Sequence, residues 1–235
     1  MPTIPYKMID PETGIEKRLP GVTTSNGNIG WSKDGLMYWA NKMGREGKDL
    51  NQARQGAADI GTIAHALVEA HIDISGEGIE AAKERILAAA PEAYRGPALE
   101  AFGAYLVWER QSRGTIIATE VWFVDEEWET GGCIDAIRIE DDGSIALLDW
   151  KSSNGTYEDM VVQVTAYAEF FERLMTRWLG SPFKFSGVHL CRFGKESGNF
   201  VHHYWPRHVL TPAWEAFKHG RALHQLRPSI RNLVR

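Results

Sequence analysis

Residues 131–153 read GGCIDAIRIEDDGSIALLDWKSS, and they decide the fold. Two short runs rich in aliphatic and β-branched residues, CIDAIRIE (133–140) and SIALLDWKS (144–152), flank the turn-former Asp141-Asp142-Gly143, so they predict a β-hairpin. Each run carries charge where a core strand should be apolar. Alternation places Ile134, Ala136 and Arg138 on one face of the first strand, with Asp135, Ile137 and Ile139 on the other. On the second strand Leu147, Asp149 and Lys151 share a face, opposite Leu148 and Trp150. Pairing of the two strands would bring Asp135 and Asp149 close across the sheet, with Lys151 one pleat along.

Outward from the hairpin, TIIATEVWFV (115–124) predicts a third neighbouring strand, separated by EEWETGG. A helix is expected over about 159–179, stopped by Gly180-Ser181-Pro182, and VHLCRF and FVHHYW flank GKESGN as a second hairpin. TPAWEAFKHGRALHQL should close the order as a helix, with Thr211 as N-cap and Pro212 in its first turn. Upstream, spacings of three and four predict helices over 33–44, 52–72, 77–90 and 95–113, with Gly44, Gly76 and Gly114 as stops and Pro91 just past the third. YKMIDPETGIEKRLPGVTT reads as an N-terminal hairpin or extended arm. Helices, strands, helix, strands, helix argue for an α/β layer structure with a sheet between helices.

The 235-residue length suits one domain with elaborations: an arm and helices over 1–60, a core over 61–206, and a basic helix and tail over 207–235. Hydrophobic residues at 43% and charged residues at 24% fit a water-soluble chain, and no apolar run approaches a membrane span. With no signal-peptide pattern at the N-terminus, a cytoplasmic location is expected. Cys133 and Cys191 alone can build neither a disulfide framework nor a four-cysteine metal site. The formal charge of −5 hides an asymmetry. From residue 207 onward Arg207, Lys218, Arg221, Arg227, Arg231 and Arg235 face Glu215 alone, a balance of +5 that leaves −10 for the preceding part.

Two carboxylates held close repel unless a proton or cation sits between them, and hard oxygen donors of this kind suit Mg²⁺ or Mn²⁺. A lysine beside them can orient a nucleophile or offset negative charge that develops on a phosphate. Taken alone, Asp149-x-Lys151 equally describes an edge-strand ion pair. The wider set, Gly61-Thr62-x-x-His65, Gly131-Gly132-x-x-Asp135, Asp149-x-Lys151 and Gln163-x-x-x-Tyr167, resembles in order and spacing the RecB-like branch of the PD-(D/E)XK nuclease superfamily. LPGVTT followed by a Trp-containing helix is similar to the phage exonucleases and the mitochondrial genome maintenance exonuclease group.

The resemblance implies a restriction-endonuclease-like core, a central mixed β-sheet flanked by helices, with an N-terminal helical elaboration. It implies His65, Asp135, Asp149 and the Trp150 backbone carbonyl as ligands of Mg²⁺ or Mn²⁺, and Lys151 as the catalytic lysine. Gln163 and Tyr167 would face the site, and Glu120 would either assist a second metal or its waters or be an exposed strand residue. Glu69, four residues after His65, is either a hydrogen-bond partner for the imidazole or a surface acid. Departures from the pattern are the absence of the proline before Asp135 and of the four cluster-binding cysteines of some relatives. No phosphate-binding G-x-x-x-x-G-K-[ST] loop is present.

The expectation is a metal-dependent DNA nuclease, an exonuclease on ends or single strands in replication, recombination or repair, phage-encoded and active in a bacterial host cell. The alternatives are a non-catalytic DNA-binding or assembly module on the same fold and a structure-specific endonuclease. Expected partners are DNA, a second copy of the chain or a recombination or replication protein, with no membrane. Phosphate contacts are expected from the basic tail, Arg192 and Lys195, and base stacking from Trp31 and Trp128. Trp39, Trp108, Trp122, Trp150 and Trp205 read as core, and His202-His203 as structural.

Overall fold

The computed structural model describes residues 6–31, 33–72, 78–153, 155–193 and 200–234. Two short strands, β1 (Tyr6–Ile9) and β2 (Glu16–Leu19), pair as an antiparallel hairpin. A one-turn helix α1 (Val22–Asn26) follows, then α2 (Lys33–Arg45), α3 (Leu50–Ile72), α4 (Ile79–Ala89) and α5 (Glu92–Gln111). The main sheet contains β3 (Thr115–Asp125), β4 (Thr130–Ile139), β5 (Ile145–Lys151), β6 (Gly187–Phe193) and β7 (Phe200–Pro206), in that spatial order. Helix α6 (Glu158–Leu179) carries the chain from β5 to a parallel neighbour, β6, whereas every other pairing in the sheet is antiparallel. Helix α7 (Thr211–Leu233) closes the order.

The two faces of the sheet bury different residues because side chains alternate along each strand. Against α6, α7 and α1 lie Ile134, Leu147, Val188 and Leu190, packed with Phe170 and Phe217. Against α3 and α5 lie Ala136, Leu148, Trp150 and Cys191, packed with Leu67, Val68, Tyr105 and Trp108. A sheet covered on both sides explains the apolar run IALL in β5, buried from Ala146 to Leu148. It also makes the polar residues that end that run conspicuous.

Element by element, the sequence expectations hold, with boundary shifts. Helix α6 begins with Glu158 and Asp159 in its first turn and ends at Gly180, whose φ of 66° suits glycine. Helix α7 starts at Thr211 with no side-chain cap and runs seven residues past Leu226, through Pro228. Gly76 and the GKESGN turn fall outside the described residues. Strict alternation on β4 fails: Ile134 packs with Ile137 on the α6 face, while Ala136 packs on the other. Opposite this point β3 is irregular, with a register shift between Ile116 and Ala118 and a φ of 49° at Glu120. A left-handed backbone at a non-glycine strand residue re-aims its side chain.

Candidate active site

Strands β4 and β5 pair only from Ala136↔Leu148 to Ile139↔Ile145. Beyond Leu148, β5 keeps only its pairing with β6, and the earlier part of β4 stays with β3. The sheet therefore forks. At the fork the Trp150 N–H has lost its strand partner on the β4 side, and it donates to Asp135 Oδ2 at 2.7 Å. Asp149 and Lys151, flanking Trp150, project from the same face of β5, and the Lys151 ammonium contacts the Asp149 carboxylate. The charges in the opening stretch thus gather where two core strands separate and leave backbone groups to be satisfied.

Asp149 is 1% exposed; its Oδ2 is held by the Lys151 ammonium, and its Oδ1 has no hydrogen-bond partner among the described residues. Burial lifts the proton affinity of Asp149 to a pKa of about 6, against the opposing pull of Lys151. Burial does the same to Asp135, which also reaches about 6. For Lys151 burial acts downward, but the Asp149 and Asp135 charges outweigh it and the net shift is upward. One ammonium is therefore shared by two carboxylates that are costly to ionise.

His65 reaches the fork from α3, and burial followed by the Lys151 charge lowers its pKa to about 4. The ring is neutral at pH 7. It hydrogen-bonds the Trp150 backbone, and with the Trp150 N–H committed to Asp135 the partner is the carbonyl. One ring nitrogen is held as donor, which leaves the other as an acceptor. From α6, Gln163 Nε2 donates to Tyr167 Oη at 2.9 Å, and both line the cleft with His65 and Asp135. Glu120 accepts from Cys133 Sγ at 3.3 Å, and Glu69 is raised by burial and by its hydrogen bond to Glu120. Glu69 thus meets Glu120 rather than the imidazole.

The glycine pair of the opening stretch has two separate uses. A Cβ on Gly132 would come within 2.4 Å of the Phe123 ring and 2.7 Å of Tyr167, so the bare backbone lets α6 settle against the sheet. A Cβ on Gly131 would lie 2.3 Å from Tyr6, so its absence seats the N-terminal hairpin. Around that contact Gly131 N–H and Thr130 Oγ1 both donate to the Pro20 carbonyl, at 3.2 and 3.0 Å. The hairpin and Leu19–Gly21 wall a cleft of about 680 Å³ over the fork.

Several of the expected roles change. Trp122 is 42% exposed and lines the cleft beside Tyr6, and Trp39 lines a neighbouring cleft, so neither is core. Trp128 instead packs among Phe170, Trp214 and Phe217. In the basic tail, Arg207 is clamped by Glu172 and Glu169, and Arg221, 4% exposed, donates to the carbonyls of Trp128 and Glu129. Both are structural, and Arg192 donates to the Ser153 carbonyl at 3.2 Å. Lys195 lies outside the described residues. Trp31 is exposed as expected, and His202 and His203 bond His189 and Thr156 on opposite faces of β7. Sequence reading missed Tyr6 and Cys133 as cleft residues. The glycine pair beside Cys133 was the signal for the first.

Among the described residues, no group of three or more His, Cys, Asp and Glu side chains stands ready-made around a metal position. The chemistry of the donors nonetheless fits a hard divalent cation. Asp149 Oδ1 is buried without a hydrogen-bond partner while Oδ2 meets Lys151, Asp135 Oδ2 accepts from the Trp150 N–H, and His65 is neutral.

The family model of the PD-(D/E)XK nuclease superfamily matches residues 37–200, which take in α3 to α5, β3 to β6 and α6 and stop at the start of β7. The chain belongs to that superfamily, and its five-stranded mixed sheet between helices is the restriction-endonuclease-like core expected of it. Membership of that superfamily suggests a nuclease. Among solved structures, SSO0001 aligns at 15% identity with a TM-score of 0.31, covering 59% of this chain. The chain spans 64% of the length of that protein. No curated protein matches the chain. Among the described residues, no helix is long and apolar enough to cross a membrane.

Proposed function

We propose that the chain is a deoxyribonuclease dependent on Mg²⁺ or Mn²⁺, acting as an exonuclease on ends or single strands during replication, recombination or repair. One observation carries the metal-dependent reading: Asp149 is buried with Oδ1 lacking a hydrogen-bond partner and Oδ2 held by Lys151 alone, beside Asp135 at the fork. A structural ion pair has no use for a second carboxylate that is equally hard to ionise. The preference for ends or single strands is supported by the walls of the cleft. The N-terminal hairpin stands on one side and α3 and α6 on the others, around about 680 Å³, a space suited to one strand rather than a stacked duplex.

Asp135, Asp149, His65 and the Trp150 carbonyl would hold the cation, with Glu120 near the Asp135 side. When bound, a divalent cation supplies Lewis acidity toward a phosphoryl oxygen and makes water a stronger nucleophile at neutral pH. Lys151 donates hydrogen bonds to phosphate oxygens as negative charge builds on them, and its raised proton affinity keeps it charged. The Gln163 and Tyr167 pair holds its side of the cleft in one geometry through a single hydrogen bond. Tyr6 and Trp122, with ring centroids 5.9 Å apart, limit how a strand can lie.

The test is a digestion series on 5′-labelled, 3′-labelled and circular single-stranded DNA with Mg²⁺, Mn²⁺ or chelator. Metal-dependent release of short products from linear substrates alone is expected, and Lys151→Ala should abolish it. Cleavage of circles at the linear rate would make the enzyme an endonuclease. Wild-type cleavage by Lys151→Ala would remove the catalytic assignment.

A further inference from the structure

A second cleft, of about 720 Å³, opens beside the first and is not used by the chemistry described above. Its walls are Trp39 and Met43 of α2 and Tyr94 and Pro97 of α5, and its floor is the first half of α3. The two clefts meet at Ser152, which lines both and directly follows Lys151. A chain of phosphodiesters passing Lys151 on that side therefore has one place to go.

The chemistry of this cleft suits a nucleobase. Trp39 and Tyr94 are both partly exposed and present rings from opposite walls. Gly56 brings Tyr94 close to the α3 backbone, since a Cβ there would meet Tyr94 Oη at 2.8 Å. Gln52 and Ser153 add hydrogen-bonding groups to the lining, and its two charged residues, Lys48 and Asp49, are of opposite sign. Aromatic rings with a few polar groups and a path to a phosphate-handling site are how proteins hold single strands without reading sequence.

We propose that the α2–α5 cleft is the subsite for the nucleotide next to the scissile bond in single-stranded DNA, with Trp39 and Tyr94 stacking on its base. The inference rests on the nuclease reading and adds the direction in which the strand leaves Lys151. Stacking in this subsite acts on bound substrate and transition state alike, so it governs KM more than kcat.

Two measurements test it. In steady-state cleavage of a linear single-stranded oligonucleotide with Mn²⁺, Trp39→Ala should raise KM roughly tenfold with kcat within about twofold, and Trp39→Phe should recover most of the loss. Trp178→Ala, at an exposed site on α6, should behave as wild type. The second measurement uses unmodified protein, so it does not depend on a variant folding. An oligonucleotide carrying 5-iodouracil is irradiated with the full chain in chelator, and the crosslinked peptide should contain Trp39 or Tyr94. Crosslinks confined to other peptides, or a Trp39→Ala enzyme with the wild-type KM, would overturn the assignment. Because crosslinking needs no turnover, a protein that cleaves nothing defeats the nuclease reading alone.

Discussion

Asp149 is the residue on which the proposed chemistry turns, because a nearly inaccessible carboxylate with one oxygen unpartnered and the other held by a single ammonium is costly to keep ionised. Asp149→Asn keeps the shape and removes the charge. It should lower cleavage by on the order of 10²–10³-fold or more while circular dichroism stays unchanged. Lys151→Met removes the one cation shared by Asp135 and Asp149. At pH 8 in chelator it should lower thermal stability, and Mn²⁺ should restore part of it, as read by melting curves with and without metal.

The pH dependence follows from the same pair. Asp135 and Asp149 bind protons more tightly folded, at about 6, than at their ordinary 3.8. Between these values the native state holds the extra protons, so their contribution to stability is full below about pH 4 and fades as pH rises through 6. Cation binding runs the other way, since it needs both carboxylates ionised. Calorimetric Mn²⁺ affinity should climb between pH 5 and 7, with proton release, and level off above.

Among the elements, the close approaches at Gly131 and Gly132 separate two consequences that neighbouring glycines would ordinarily blur. Gly132→Ala forces a methyl into Phe123 and Tyr167, both buried, and should cost about 1–3 kcal/mol of global stability by denaturant titration. Gly131→Ala pushes only on Tyr6 of the N-terminal hairpin. The main sheet should keep its midpoint while trypsin cuts faster after Lys17 or Arg18, as seen by limited proteolysis. Glu172 of α6 has a comparable local importance: it is 1% exposed and accepts from Arg207, Lys184 and the Phe185 N–H. Glu172→Ala leaves Arg207 with Glu169 alone and the Phe185 N–H without its acceptor, and should cost about 1–3 kcal/mol.

The strands and the charged groups at their ends were legible because a period of two and a misplaced Asp are visible in a single run. What was not legible depends on contacts between distant segments. The alternation around Ile134 is broken by the left-handed turn at Glu120, on a different strand. Arg207 and Arg221 read as free positive charge until α6 and the β3–β4 turn supply their partners. Trp39 and Trp122 sit at positions whose spacing predicts burial, and only the gaps between elements leave their rings partly uncovered.

For the molecule as a whole, the formal charge of −5 opposes the approach of DNA, the proposed substrate, and Arg207 and Arg221 of the tail are spent on internal bonds. Affinity for single-stranded DNA should therefore depend on the divalent cation. Anisotropy with the Lys151→Ala protein should show binding at least roughly tenfold tighter in Mn²⁺ than in chelator.

Tyr6 meets its seat at Gly131 from the opposite half of the chain, and His65 lies far upstream of Asp135 and Lys151. A ribosome must therefore deliver β4 and β5 before the N-terminal hairpin can dock and before His65 meets its carboxylate neighbours. Translation products that stop short of β4 and β5 lack the proposed groove altogether.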